Sequence, residues 1–277
     1  MPCSEQDYEY LRRLVQTQSS NVVDKSYNDL FEIRLTPLMR QSGASSLSEF
    51  VATLRNQMPG PMHRTVAEVM TINETSFFRD IGSFEAMKKE ILPRLIEQQR
   101  SKRSLRIWSA ASSTGQEAYS LAMMLLEDFA DTVNTWDVRI IGTDYSAAMV
   151  KYAQGGRFKR IEVNRGLPAR LMVKYFVRDG EEWEISESAR RLCEFKQMNL
   201  CAPLLPMPQF DLVLLRNVLI YFSPQDRAKL LANVRSVMAP HAALMLGNAE
   251  QVNGAEHLFE STFSGRTYYY RPMRLAA

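Results

Sequence analysis

Apolar residues Tyr8, Leu11 and Val15, then Leu30, Ile33 and Leu38, recur every three or four positions near the start of the chain. That spacing lines them along helix faces. Leu47, Phe50, Val51 and Leu54 follow Ser46, a residue suited to opening a helix, and Val66, Val69 and Met70 continue the pattern. Ser42 to Ser46 and Met58-Pro-Gly-Pro61 read as turns. With no alternating strand signal in this stretch, residues 1–70 predict a small all-helical domain. From Leu105 the period changes. Short apolar runs at Leu105 to Ser109, Val138 to Gly142, Phe210 to Leu215 and Ala242 to Gly247 alternate with helical runs at Glu117 to Phe129, Ala147 to Ala153 and Pro224 to Met238. The last of these carries proline in its first turn. Strands alternating with helices predict an α/β fold whose parallel sheet is covered on both faces. Phe263 and Thr267 to Arg271 read as a closing β-pair. Between Ile81 and Arg100 the pattern is mixed, so residues 71–90 are read as a linker and residues 91–277 as the second domain. Within it, about 158–198 break the rhythm: Tyr175 to Arg178, an Asp179-Gly180 turn, Trp183 to Ile185 and Leu192 to Phe195 predict a small antiparallel insertion.

Composition narrows the function classes without choosing one. A chain of 277 residues with 45% hydrophobic and 23% charged residues is ordinary for a soluble globular protein. Its net charge of +3 is too small to imply a nucleic-acid partner. Cys3, Cys193 and Cys201 are odd in number and form no CxxC, which argues against a disulfide framework and fits a cytoplasmic location. His63, His241 and His257 lie far apart with no helical ligand pair, so no metal is expected. The stretch Met1 to Asp7 lacks a signal-peptide pattern. Leu121 to Leu126 and Leu212 to Phe222 are too short to cross a bilayer.

Candidate chemistry gathers at strand ends, where open α/β sheets bind ligands. Ser109-Ala-Ala-Ser-Ser-Thr-Gly115-Gln-Glu117 leads from a strand into a helix, and its small residues allow close backbone approach to a ligand. It lacks both GxGxxG and the Walker ending, so in isolation the loop reads first as a plain strand-to-helix turn. Asp144 closes the second strand, either to accept ribose hydroxyls or to cap the helix that follows. Arg216-Asn217 and Asn199-Leu200 also end strand-like runs. Arg79 follows the aromatic pair Phe77-Phe78 and has Asp80 and Glu85 as candidate surface partners.

Taken together, Ile72-Asn-Glu-Thr-Ser-Phe-Phe-Arg79, Ala110 to Ser120, Gly142-Thr-Asp144, Asn199-Leu200 and Arg216-Asn-Val-Leu-Ile-Tyr-Phe222 resemble the CheR-type chemoreceptor glutamate methyltransferases. These enzymes move a methyl group from S-adenosylmethionine (SAM) to receptor glutamates, leaving S-adenosylhomocysteine (SAH). The resemblance implies a helical domain, then a Rossmann-like SAM-dependent methyltransferase sheet with a small β insertion. It assigns Asn73, Thr75, Arg79, Glu117, Asp144, Asn199, Leu200, Arg216 and Asn217 to the cofactor, with Asp144 on the ribose. Arg79 and Tyr221 would lie nearest the transferring methyl. A glutamate with pKa near ~4.3 is ionised at neutral pH and needs no general base, so the enzyme's task is mainly positioning. Arg34 and Arg40 correspond to a basic docking helix, although Thr36 and Pro37 replace the basic residues usual there and Pro37 should start or kink a helix. The implied partner is the chemoreceptor cytoplasmic signalling domain, with the membrane reached only through receptors. The short acidic turn Asp179-Gly-Glu-Glu182 predicts an enzyme that works without a receptor tethering peptide. The alternatives are a non-catalytic SAM- or SAH-binding signalling module, or a methyltransferase with another substrate.

Overall fold

A computed structural model describes residues 3–204, 206–265 and 267–273. Met1 and Pro2, the first residues of the polar amino terminus, lie outside the described residues. The chain divides into two compact units: one runs to Ile72 and also takes in Tyr221–Asp226, and the other comprises Asn73–Ile220 and the chain from Arg227 onward.

The first unit is built from helices α1 (Glu5–Ser19), α2 (Asn28–Gln41), α3 (Leu47–Arg55) and α4 (Pro61–Met70). Ser4 opens α1 through a reciprocal capping box with Asp7, and Ser46 opens α3 by accepting from the Glu49 amide. Tyr8, Leu11 and Val15 are buried as their spacing predicts. In α2 the buried stripe is instead Phe31 and Leu35, and Ile33 is 71% exposed. The helical period was legible there, but the phase was not: Leu30 and Leu38 are half-buried flanks of the stripe, because several apolar side chains compete for one face. Helix α2 continues through Pro37 rather than starting at it. His63 is a core histidine, its two ring nitrogens engaged with the Gly60 amide and the Leu54 carbonyl.

In the second unit α5 (Ile81–Ala86), a π-helical stretch (Met87–Ile91) and α6 (Leu92–Gln99) form one run. The i→i+5 turn ends two residues before Pro93, whose missing N–H interrupts the ordinary ladder. Then follow β1 (Ser104–Ala110), α7 (Gln116–Asp128), α8 (Ala130–Thr135), β2 (Asp137–Asp144), α9 (Ala147–Gly155), β3 (Arg157–Lys159), α10 (Arg160–Val163), α11 (Ala169–Tyr175), β4 (Phe176–Asp179), β5 (Glu182–Ile185), α12 (Glu187–Arg190) and β6 (Cys193–Gln197). The chain closes with β7 (Phe210–Leu215), α13 (Pro224–Ser236), β8 (Met238–Leu246), β9 (Phe259–Ser264) and β10 (Thr267–Pro272). The large sheet has the order β6-β2-β1-β7-β8-β10-β9, parallel from β6 to β8 and antiparallel at β10 and β9. From β1 the chain steps outward to β2 and β6, then returns to β7 on the other side. Right-handed crossovers therefore put α7 and α13 on opposite faces of the sheet. β7 lies fully buried, and the Trp108 indole stacks on Phe210 at 5.5 Å while donating to Thr143 Oγ1.

The small sheet β3-β5-β4 is antiparallel, with the hairpin turning at Gly180. Leu192 to Phe195, read from sequence as part of the insertion, instead contributes to β6, the parallel edge strand beside β2. A four-residue run whose large apolar members are only Leu192 and Phe195 carries no mark of which sheet it joins. Phe195 pairs with Gly142 across that edge, and its ring covers the glycine. A Cβ at Gly142 would come within 2.6 Å of Phe195 Cε1 and 3.1 Å of Ser112 Oγ. Gly142→Ala should therefore cost about 1–3 kcal/mol through overpacking, seen as a lowered urea midpoint; an unchanged midpoint would show that the ring can shift freely.

Candidate active site at the strand ends

Strand order reverses between β1 and β7, and the crevice at such a switch point is where open α/β sheets bind ligands. Three segments of the second unit meet at these carboxyl ends: Asn73 to Asp80, the β1–α7 loop from Ala111 to Gly115, and Arg216-Asn217 after β7. Backbone strain marks all three. Of the seven non-glycine residues with positive φ among the described residues, five lie here: Phe78, Asp80, Ala111, Ser113 and Asn217. Each such conformation costs of order 1–3 kcal/mol and persists only where the surroundings over-determine it.

The first segment is anchored by Phe77, fully buried and edge-on to Phe158 at 5.1 Å and Phe176 at 5.6 Å. Ser113 Oγ donates to the Asn73 carbonyl at 2.7 Å, and the Phe78 amide donates to Ser120 Oγ at 2.9 Å. These bonds hold Asn73 and the half-buried Thr75 against the β1–α7 loop. Arg79 follows, partly exposed, with one hydrogen bond from Nη1 to the Glu74 carbonyl at 2.9 Å. Both of its candidate surface partners are engaged elsewhere: Asp80 pairs with Arg216 and Glu85 with Lys89. Among the described residues no carboxylate lies within ion-pair distance of Arg79.

Glu117, in the first turn of α7, accepts from Ser109 Oγ at 2.7 Å and from Arg216 Nη1 at 2.8 Å. The pair spans the crevice, since Glu117 follows β1 and Arg216 ends β7. Arg216 Nη2 also donates to the Arg79 carbonyl at 2.7 Å and to Asp80 at 3.0 Å, and the guanidinium packs 5.7 Å from the Phe84 ring centroid. Its side chain is 1% exposed. Arg216 therefore ties the Asn73 to Asp80 segment and the start of α7 to the end of β7, while its buried Nε has a hydrogen bond unmet.

Asp144 is 6% exposed, and its carboxylate accepts from the Ser113 amide at 2.8 Å and the Ser146 amide at 2.9 Å. Ser146 is the residue that caps α9. Asp144 thus bridges the β1 loop and the β2 end rather than capping the helix. Asn199 follows β6 and accepts the Cys201 amide on Oδ1, while the Leu200 carbonyl accepts from Asn233.

Three of the sequence-nominated residues fall in the first unit. Tyr221 ends a 3-10 turn, and its carbonyl accepts from the Val22 amide at 2.8 Å. Arg34 is half-buried and donates to the Val69 and Thr71 carbonyls, closing the carboxyl end of α4; burial lowers its guanidinium pKa. Arg40 is exposed and makes no ion pair among the described residues. Sequence reasoning missed Asp80, Ser113 and above all Glu250. Glu250 is 8% exposed and accepts three main-chain amides, from Asn217, Leu219 and Gly247. The signal that could have found it is a carboxylate three residues beyond the glycine that ends a strand-like run. Among the described residues no group of three or more His, Cys, Asp or Glu could hold a metal ion, and no helix is long and apolar enough to cross a membrane.

Comparison with known proteins places this arrangement. The sequence model of the CheR methyltransferase SAM binding domain matches residues 73–268. A chemotaxis protein methyltransferase 1 of Pseudomonas aeruginosa is 35% identical over 256 residues, covering 91% of this chain and 93% of its own length. A chemotaxis protein methyltransferase of Vibrio parahaemolyticus is 33% identical over 259 residues, covering 93% of each chain. With the mostly parallel sheet and the strained strand-end loops, these matches show that the chain belongs to the CheR methyltransferase family and is a SAM-dependent methyltransferase.

Proposed function

We propose that this protein transfers the methyl group of SAM to glutamate side chains of a chemoreceptor's cytoplasmic signalling domain, forming methyl esters for sensory adaptation. The observation that carries the reading is Arg79: a cation without a carboxylate partner among the described residues, on a strained segment anchored by Phe77, beside the switch-point crevice. The donor set suits SAM. Asp144 accepts the Ser113 and Ser146 amides at the end of β2, the strand-end position from which a carboxylate takes ribose hydroxyls in open α/β sheets. Ser112 Oγ, buried in the same loop, has a hydrogen bond unmet. Asn73, Thr75, Asn199, Leu200 and Asn217 complete the candidate lining. Glu117 and Arg216 act by holding the loops around it.

SAM supplies an electrophilic methyl on a sulfonium; a glutamate oxygen takes it as the sulfur–carbon bond breaks, leaving an ester and SAH. The carboxylate's negative charge and the sulfonium's positive charge cancel, so no proton must be removed. Arg79 orients a carboxylate, whether the methionine moiety's or the substrate's, and Tyr221 fixes the geometry through its hydroxyl. Positioning of this kind can contribute roughly 7–11 kcal/mol in favourable cases.

Docking on acidic receptor helices falls to Arg40, because the Arg34 guanidinium is already committed to α4. Steering by one exposed cation is modest. Independence from a tethering peptide is supported by the hairpin itself: Asp179, Glu182 and Glu184 all pair with Arg157, so that arginine is not available to an acidic peptide. The protein acts in the cytoplasm and meets the membrane only through receptors.

Incubation with methyl-labelled SAM and a receptor cytoplasmic fragment, followed by alkali, tests the reading. Volatile labelled methanol is expected. Label that stays on the protein through alkali would replace the carboxylate substrate with a nitrogen nucleophile.

A further inference from the structure

We infer that Glu250 is a positioning residue for the methyl-transfer site, a clamp that holds Asn217 in its left-handed conformation. β8 ends at Leu246, and the turn beginning at Gly247 brings Glu250 back under the loop that leaves β7. Glu250 Oε2 accepts the Asn217 amide at 2.7 Å and the Gly247 amide at 2.8 Å, and Oε1 accepts the Leu219 amide at 2.7 Å. One carboxylate thus gathers donors from the ends of two neighbouring strands. Asn217 has φ of 58°, a left-handed conformation that asparagine tolerates better than most residues but that still needs support to be held as the single state. The approach is tight: a Cβ at Gly247 would lie 2.7 Å from both Asn217 Nδ2 and Glu250 Oε2. Glycine at 247 is what lets the carboxylate and the Asn217 amide group share that space.

The chemistry demands a carboxylate. Both oxygens of Glu250 are acceptors, and the three donors are fixed in the main chain. A glutamine would turn an NH2 toward at least one N–H and leave a buried donor unpaired, a penalty that favours loop rearrangement. Asn217 would then relax toward ordinary backbone angles and its side chain would leave the strand-end edge. Glu250 touches no reacting atom in this scheme; it acts through Asn217.

The test reads two independent quantities on the full chain. Hydrogen exchange in the absence of ligand should rise at least tenfold at the Asn217 and Leu219 amides in Glu250→Gln. Unchanged exchange there would overturn the clamp, whatever the behaviour toward SAM. The second quantity, SAM affinity by calorimetry, rests on the SAM-binding reading above. Glu250→Gln and Asn217→Ala should each weaken SAM about tenfold, and the double variant should bind no more weakly than the poorer single, because both changes remove the same placed side chain. Losses that multiply in the double variant, or Glu250→Gln binding SAM like the unaltered protein, would overturn the inference. An unaltered protein that binds no SAM would sink the functional reading instead, and the exchange measurement would still decide the clamp.

Discussion

Arg79→Ala is expected to lower methyl transfer by about 10²-fold or more, the scale at which lost positioning reduces a rate, while the protein stays folded. The structural side of this expectation is direct. Arg79 is partly exposed and its one hydrogen bond goes to the Glu74 carbonyl, so truncation removes no buried partner and leaves no orphaned charge. Its neighbours remain fixed by other groups: Phe77 by its aromatic contacts, Phe78 by Ser120, and Asp80 by Arg216. Thermal unfolding should therefore be unchanged. Arg79→Lys should recover part of the rate, since it keeps the charge but loses the planar two-point grip on a carboxylate. Steady-state kinetics with SAM and receptor varied separately will show which carboxylate the guanidinium holds, because the affected KM belongs to that partner. Turnover within threefold of the unaltered enzyme would remove Arg79 from the mechanism.

Arg216→Ala should act in the opposite way, through the fold. It withdraws the cation shared by Glu117 and Asp80, along with the bond to the Arg79 carbonyl. Removing one partner of a buried ion pair typically costs about 3–5 kcal/mol, because the remaining charge has neither water nor a counter-ion. Glu117 has a side chain only 13% exposed and carries most of that penalty; Asp80, at 27%, retains some solvent. The lower end of the range is therefore expected, measured as a fall in the urea midpoint. SAM affinity should fall with it, as the Asn73 to Asp80 segment loses its tie to β7. Arg216→Lys should remain folded yet bind SAM less tightly, because an ammonium reaches one carboxylate well but not two and a carbonyl together. A stable Arg216→Ala with full SAM affinity would mean that the guanidinium merely fills space.

Much of this architecture was legible in the chain. Strand runs at Leu105, Val138 and Phe210 are apolar and bounded by polar loops, and helices α7 and α9 follow them in register with the α/β rhythm. The segment around Phe77-Phe78-Arg79 stood out by its resemblance to the CheR pattern, in which an aromatic pair beside an arginine needs one ring as a buried anchor. Phe77 is that anchor. Less legible were assignments in which two outcomes satisfy the same local pattern. Leu192 to Phe195 is apolar enough for either sheet, and only the docking of Phe195 over Gly142 decides for the large one. Arg34 and Arg40 sit on the same helix, yet one closes α4 while the other faces solvent.

By itself the sequence determined the helical period of residues 1–70, the alternation of the main strands and helices, and the carboxyl-end loops where ligands can approach, because periodicity and turn chemistry are properties of neighbouring residues. Tertiary structure alone decided how the polar side chains at those ends are used. Arg216 is 99 residues from Glu117 and 136 from Asp80, and Glu250 is 33 residues from Asn217. A buried charge must find a partner wherever the fold brings one within about 3 Å. That distance is set by the reversal of strand order at β1 and β7, which no local stretch of chain encodes.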